Sequence, residues 1–197
     1  MNETEKNVTA KLYYINKDVI SSVKKKFIAL DFETTGIDSR VDRVVEIGAV
    51  IYENGKIIKT FDKLVNPNKL ISPEASKVSK ITNEMIENSP SETDLYPEFI
   101  EFLGNALNGE IYICAHNARF EIGFITETLN RLGYKGSFKF LDTLYISKIL
   151  ITGLKDYKQD TVASHFNIVN RQSHRACTDA ETCGNILLEL IKIAENK

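Results

Sequence analysis

The chain has 197 residues, of which 43% are hydrophobic and 26% charged, the balance of one globular domain with a real core. Its 25 basic and 27 acidic residues leave a net charge of −2, which argues against a protein that grips long duplexes by overall positive charge but not against a phosphate partner met through metal ions. Cys114, Cys177 and Cys183 are odd in number and form no CxxC, so a disulfide framework or zinc site is not expected and all three read as reduced. No apolar run is long enough to span a membrane and the polar N-terminus is no signal peptide, a pattern that fits a cytoplasmic protein.

In chain order, residues 1–26 form a polar leader whose mixed patch Leu12-Tyr13-Tyr14-Ile15 allows either a helix or a packed arm. Lys24-Lys25-Lys26 reads as a solvated strand entrance, with a phosphate-facing role as the second option. Phe27-Ile-Ala-Leu30 predicts a buried central strand running into Asp31-Phe32-Glu33-Thr34-Thr35-Gly36. Alternation along that strand turns Asp31 and Glu33 to one face and Leu30 and Phe32 to the other. Val44–Tyr52 predicts a second strand, Asn54-Gly55 a hairpin turn and Ile57–Val65 a third strand, hence an antiparallel meander. Ser72-Pro73-Glu74 marks a helix start with Ser72 as cap, and Thr82–Met85 a further short turn of helix. Leu95–Leu107 carries a helical apolar stripe. Ile111–Cys114 predicts another buried strand, followed by His116-Asn117 and a helix marked by Phe120, Phe124, Ile125, Leu129 and Leu132 and ended at Gly133. Further helices are expected from Asp142-Thr143 to about Leu150, over 160–166, and over 176–194. Strands first, then strand and helix in alternation, predict an α/β domain with a mixed sheet.

Two carboxylates on one face at the end of a buried strand are costly without a cation to offset them. Asp31 and Glu33 therefore predict a site for a hard divalent metal, Mg²⁺ or Mn²⁺, with a solvated strand end as the plainer reading. Glu121 in the first turn of one helix and Asp179 in the first turns of another add to the candidate ligands. His174, five residues before Asp179, falls in the loop ahead of that helix, whose N-terminal end favours negative charge.

Asp31-Phe-Glu-Thr-Thr-Gly36, His116-Asn-Ala-Arg-Phe-Glu121 and His174-Arg-Ala-Cys-Thr-Asp179 resemble, in this order, the three motifs of the DEDDh (DnaQ-like) 3′→5′ exonucleases. Among these they resemble most the proofreading exonuclease of bacterial DNA polymerase III. The likeness covers about residues 27–192 and implies an exonuclease domain over 27–197 behind a leader of 1–26. It implies an RNase H-like fold, a five-stranded mixed sheet flanked by helices. It also implies two divalent ions: Asp31, Glu33 and Asp179 on the first, Asp31 bridging to the second, Glu121 acting at the second partly through water, and His174 as general base. The implied reaction is metal-dependent 3′→5′ release of nucleoside 5′-monophosphates from single-stranded DNA ends, in a proofreading setting with a DNA polymerase as partner. Two other readings stay open: a nuclease-derived binding or accessory module with weak or no catalysis, and a 3′→5′ exoribonuclease on short RNA.

The chain departs from the family pattern at Glu121, where an aspartate is usual. The extra methylene moves the carboxylate by roughly 1.5 Å, so reduced activity is expected. Thr34, Thr35 and Gly36 either offer backbone groups to a terminal nucleotide or form a simple turn. Phe32 and Phe120 read as core first and as a stacking surface for a base second. His116 and Asn117 shape the start of their helix by hydrogen bonds and border the expected substrate site. Asp142 reads as a helix cap, His165 as structural, and Arg119 and Arg175 as phosphate contacts or exposed charges.

Overall fold

The computed structural model describes residues 8–170 and 175–196. Among them the strands are β1 (Val8–Leu12), β2 (Lys26–Thr34), β3 (Val44–Glu53), β4 (Lys56–Leu64), β5 (Tyr112–Ala115) and β6 (Gly136–Asp142). The helices are α1 (Lys17–Lys25), α2 (Pro73–Ser79), α3 (Asn83–Ile86), α4 (Glu92–Leu103), α5 (Arg119–Arg131), α6 (Thr143–Leu150), α7 (Gln159–His165) and α8 (Ala176–Glu195). The strands form one sheet in the order β1-β6-β5-β2-β3-β4. β2, β3 and β4 are the expected antiparallel meander, while β2, β5, β6 and β1 pair in parallel.

The sheet has six strands where five were expected. The addition is β1, from the leader, which is both arm and helix: β1 lies against β6 and α1 follows it. Asn130 of α5 fastens the start of β1, accepting from the Val8 amide at 2.8 Å and donating to its carbonyl at 3.3 Å. β6 was not read from the residues themselves; Gly136-Ser-Phe-Lys-Phe alternates but is short, and it runs straight into the α6 cap. Lys24 and Lys25 close the last turn of α1 and Lys26 opens β2, with Lys24 paired to Glu195 and Lys26 to Glu53.

Local chemistry accounts for the element ends. Asn54 and Gly55 both sit at positive φ, 51° and 74°, as a two-residue hairpin turn requires. Ser72 caps α2 through the Ala75 amide, and Asp142 caps α6 through the Leu144 and Tyr145 amides.

Alternation along β2 splits the core into two layers. Ile28, Leu30 and Phe32 pack with Phe99, Phe124 and Leu129 of α4 and α5. Phe27 and Ala29 pack with Ala180, Cys183, Ile186 and Leu187 of α8. Asp31 and Glu33 continue the second row, so they point toward the start of α8. Cys114 and Cys183 are buried free thiols, and Cys177 is a half-buried one. No helix among the described residues is long and apolar enough to cross a membrane.

Candidate metal centre

The carboxylates of Asp31, Glu33 and Asp179 each offer an oxygen within 4.8 Å of the others. The convergence follows from how α8 seats on β3. Gly48 lies directly opposite Asp31 in the β2–β3 pairing. A Cβ at Gly48 would stand 2.0 Å from the Ala176 carbonyl carbon, so only glycine lets the first turn of α8 rest there. Asp179 then drops beside Asp31. Arg175 precedes α8 without a side-chain cap. Its place is taken by Glu46, opposite Glu33 on β3, which accepts from the Ala176 amide at 3.0 Å and from Arg175 Nε and Nη2 at 2.9 and 2.6 Å.

Two amides hold Asp179: Gln159 Nε2 donates to its carbonyl at 3.1 Å and to Oδ1 at 3.3 Å, and Asn170 Nδ2 donates to Oδ1 at 2.8 Å. Glu121 enters from the first turn of α5 and lines the same cavity. It is 3% exposed, and its Oε2 has no hydrogen-bond partner among the described residues.

Burial, with the charges of Glu121, Asp179 and Glu33 added, raises the Asp31 carboxyl well above its ordinary range. Burial also lifts Glu33 to about 7, with Asp179 and Glu46 adding and Arg175 opposing. Burial lifts Glu121 to about 8, its helix-start backbone contact opposing and Asp142 and Glu33 adding. Acids crowded beyond their ordinary range, together with an unpartnered buried carboxylate oxygen, are short of positive charge. The all-oxygen donor set fits a hard divalent cation.

The cavity over this cluster, about 720 Å³, is lined by Asp31, Phe32, Glu33, Thr34, Thr35, Gly36, His116 and Phe120 among others. Asn117 lies outside it, in an adjoining groove. Phe32 is core, edge-on to Phe99 at 6.4 Å, with only its rim at the cavity. Phe120 is half-buried, 4.8 Å from Phe124, and forms part of the cavity wall. The Thr35 amide donates to the Arg43 carbonyl and its own carbonyl accepts from the Ser72 amide. His116 is fixed between Thr143 Oγ1 at 2.9 Å and the Tyr157 carbonyl at 2.8 Å, and burial lowers its pKa. The Asn117 amide donates to Asp142. Arg175 pairs with the buried Glu46 while its own side chain stays 40% exposed. His174, the expected general base, lies outside the described residues.

Glu46, Gln159 and Asn170 were missed by sequence reasoning. A lone carboxylate in the otherwise apolar run Val44–Tyr52 was a usable signal for Glu46. The two amides carry no such mark.

An acidic, oxygen-only cluster that could hold a divalent cation thus lies at the end of the central strand of a mixed α/β sheet. The exonuclease family model of RNase T type matches residues 28–187, and the chain belongs to this family. A PolC-type DNA polymerase III of Caldanaerobacter subterraneus subsp. tengcongensis is 36% identical over 172 residues, 87% of this chain and 12% of that protein. The 3′-5′ exonuclease DinG of Bacillus subtilis is 34% identical over 171 residues, 86% of this chain and 18% of that protein. The chain thus spans less than a fifth of the length of these two relatives. Exonuclease X, solved in complex with 5′-overhanging duplex DNA, shares the RNase H-like fold, with a TM-score of 0.66 at 24% identity over 86% of this chain and 92% of that one.

Proposed function

We propose that the chain is a 3′→5′ exonuclease that releases nucleoside 5′-monophosphates from single-stranded DNA ends with Mg²⁺ or Mn²⁺. The observation that carries this reading is the meeting of Asp31, Glu33 and Asp179 within 4.8 Å, under a cavity whose 720 Å³ falls in the range of about 300–1,000 Å³ usual for small-ligand sites. Direction and sugar are supported by the relatives, one a 3′-5′ exonuclease and one a DNA polymerase III. The polymerase relative also supports a proofreading role beside a polymerase.

Asp31, Glu33 and Asp179 would hold one cation and Asp31 with Glu121 a second; bound there, the ions lower the pKa of an attacking water and offset charge on the phosphate and leaving oxygen. Gln159 and Asn170 keep the Asp179 carboxylate turned to the cluster. Phe120, Ala75 and Val78 supply an apolar wall for sugar and base, and Lys158 a cation at the rim. By the family resemblance, His174 would take the proton from the attacking water as general base.

The test is hydrolysis of 5′-labelled single strands of DNA and RNA with Mn²⁺ and Mg²⁺, by the parent and by Asp31→Asn. A ladder shortening from the 3′ end is expected, with the variant slower on the order of a hundred- to a thousandfold. Release that does not depend on Asp31 would leave the binding-module reading. Faster loss of the RNA strand would replace the DNA assignment.

A further inference from the structure

The cavity over the acidic cluster shares three wall residues, His116, Lys158 and Gln159, with a second, neighbouring groove of about 460 Å³. The groove runs on over Asn117, Leu144 and Lys148. α6, which supplies Leu144 and Lys148, buries Ile146 and Ser147 and turns Tyr145, Lys148 and Ile149 outward. Tyr145 is 46% exposed and meets the ring of Tyr14, itself 68% exposed, at 5.5 Å with the planes tilted by 59°. Tyr14 belongs to the segment between β1 and α1, so the leader reaches this surface.

Neither Lys148 nor Lys158 is within ion-pair distance of a carboxylate among the described residues. The acids nearest the groove are engaged: Asp142 accepts from the Asn117, Leu144 and Tyr145 amides, and Asp160 accepts from Asn170. Lysines without carboxylate partners among the described residues, lining one groove beside the acidic cavity, with an exposed aromatic ring on the helix that carries one of them, suit the alternating charge and base faces of a single strand.

We propose that this groove and the Tyr145–Tyr14 pair are the path of the single-stranded DNA behind its 3′ end, with Lys158 and Lys148 on successive phosphates and the tyrosines stacked on bases. The proposal rests on the exonuclease reading of the cavity, which sets where the 3′ end lies. It gives the leader a part in binding.

The experiment compares Lys148→Ala, Tyr145→Ala, Tyr145→Phe and Tyr14→Ala with the parent. Binding of 5′-fluorescein oligothymidylate is followed by anisotropy in EDTA at several salt concentrations. Hydrolysis of the p-nitrophenyl ester of thymidine 5′-monophosphate is followed with Mn²⁺. Lys148→Ala is expected to flatten the plot of log affinity against log salt by about 0.7. Tyr145→Ala and Tyr14→Ala are each expected to weaken binding by about tenfold, and Tyr145→Phe to retain it. Ester hydrolysis should stay within about twofold of the parent throughout, because the ester reaches only the cavity. Unchanged strand affinity in all the alanine variants overturns the path, as does a parallel loss of ester hydrolysis, which would place the effect in the cavity or the fold. Tighter binding of matched oligouridylate overturns the choice of DNA. A parent that binds the strand through these residues but cleaves neither substrate supports the path and sinks the exonuclease reading instead.

Discussion

At the scale of single residues, the site is a contest between burial and charge. Asp31, Glu33, Asp179 and Glu121 crowd into one cavity, and the Oε2 of Glu121 has no hydrogen-bond partner among the described residues. Glu121 also stands where the resembled motif leads to the expectation of an aspartate. A misplacement of about 1 Å at a catalytic group can cost on the order of a hundredfold in rate. Glu121→Asp is therefore expected to be faster than the parent, by up to about a hundredfold, with the larger gain in the metal the parent uses less well. Rates in Mg²⁺ and Mn²⁺ check this, and equal or lower rates in both would mean that the longer side chain is no handicap.

At the scale of elements, catalytic geometry depends on how closely α8 approaches β3. Two β3 residues control that approach: Gly48, which leaves room for Ala176, and Glu46, which caps the helix from across the sheet. Gly48→Ala is expected to destabilise the fold by about 1–3 kcal/mol, the usual range for overpacking a close contact. It should also weaken Mn²⁺ binding, because lifting the start of α8 carries Asp179 away from Asp31. Urea unfolding and calorimetric titration of Mn²⁺ measure the two effects separately. Loss of stability with unchanged Mn²⁺ affinity would show that Asp179 is held by Gln159 and Asn170 rather than by the seat of α8 on β3.

At the scale of the whole molecule, the acidic cluster links folding, protons and cations. Glu33 and Glu121 are held at about 7 and about 8 against an ordinary 4.5. Between these values the folded chain keeps protons that the unfolded chain has released, so the free energy of unfolding falls as pH rises. The contribution is fully present below about pH 4.5 and is lost as pH passes 7 and 8. In EDTA the melting temperature should fall across this window. Added Mn²⁺ should restore it more at the alkaline end, where the ligands are ionised. Glu33→Gln with Glu121→Gln should flatten the dependence. A flat melting profile for the parent in EDTA would refute the electrostatic account of the site.

Four of the six strands and the acids that converge between them were legible in the residues, because their signals are local. Period-two alternation in β2 set Asp31 and Glu33 on one face, Asn54-Gly55 closed the β3–β4 hairpin, and Ser72 and Asp142 announced helix starts. The places of Asp31, Glu33, Glu121 and Asp179 at element boundaries, with the resemblance of their three motifs to those of one family, brought these acids under consideration together. The sixth strand, the cap that Glu46 provides and the amide grip of Gln159 and Asn170 on Asp179 were not legible. Each joins residues distant along the chain, as in the pairing of β1 with β6 and the reach of Glu46 to the start of α8. Periodicity records which face of an element is apolar, whereas the close approach of one backbone to another is decided only when the layers pack.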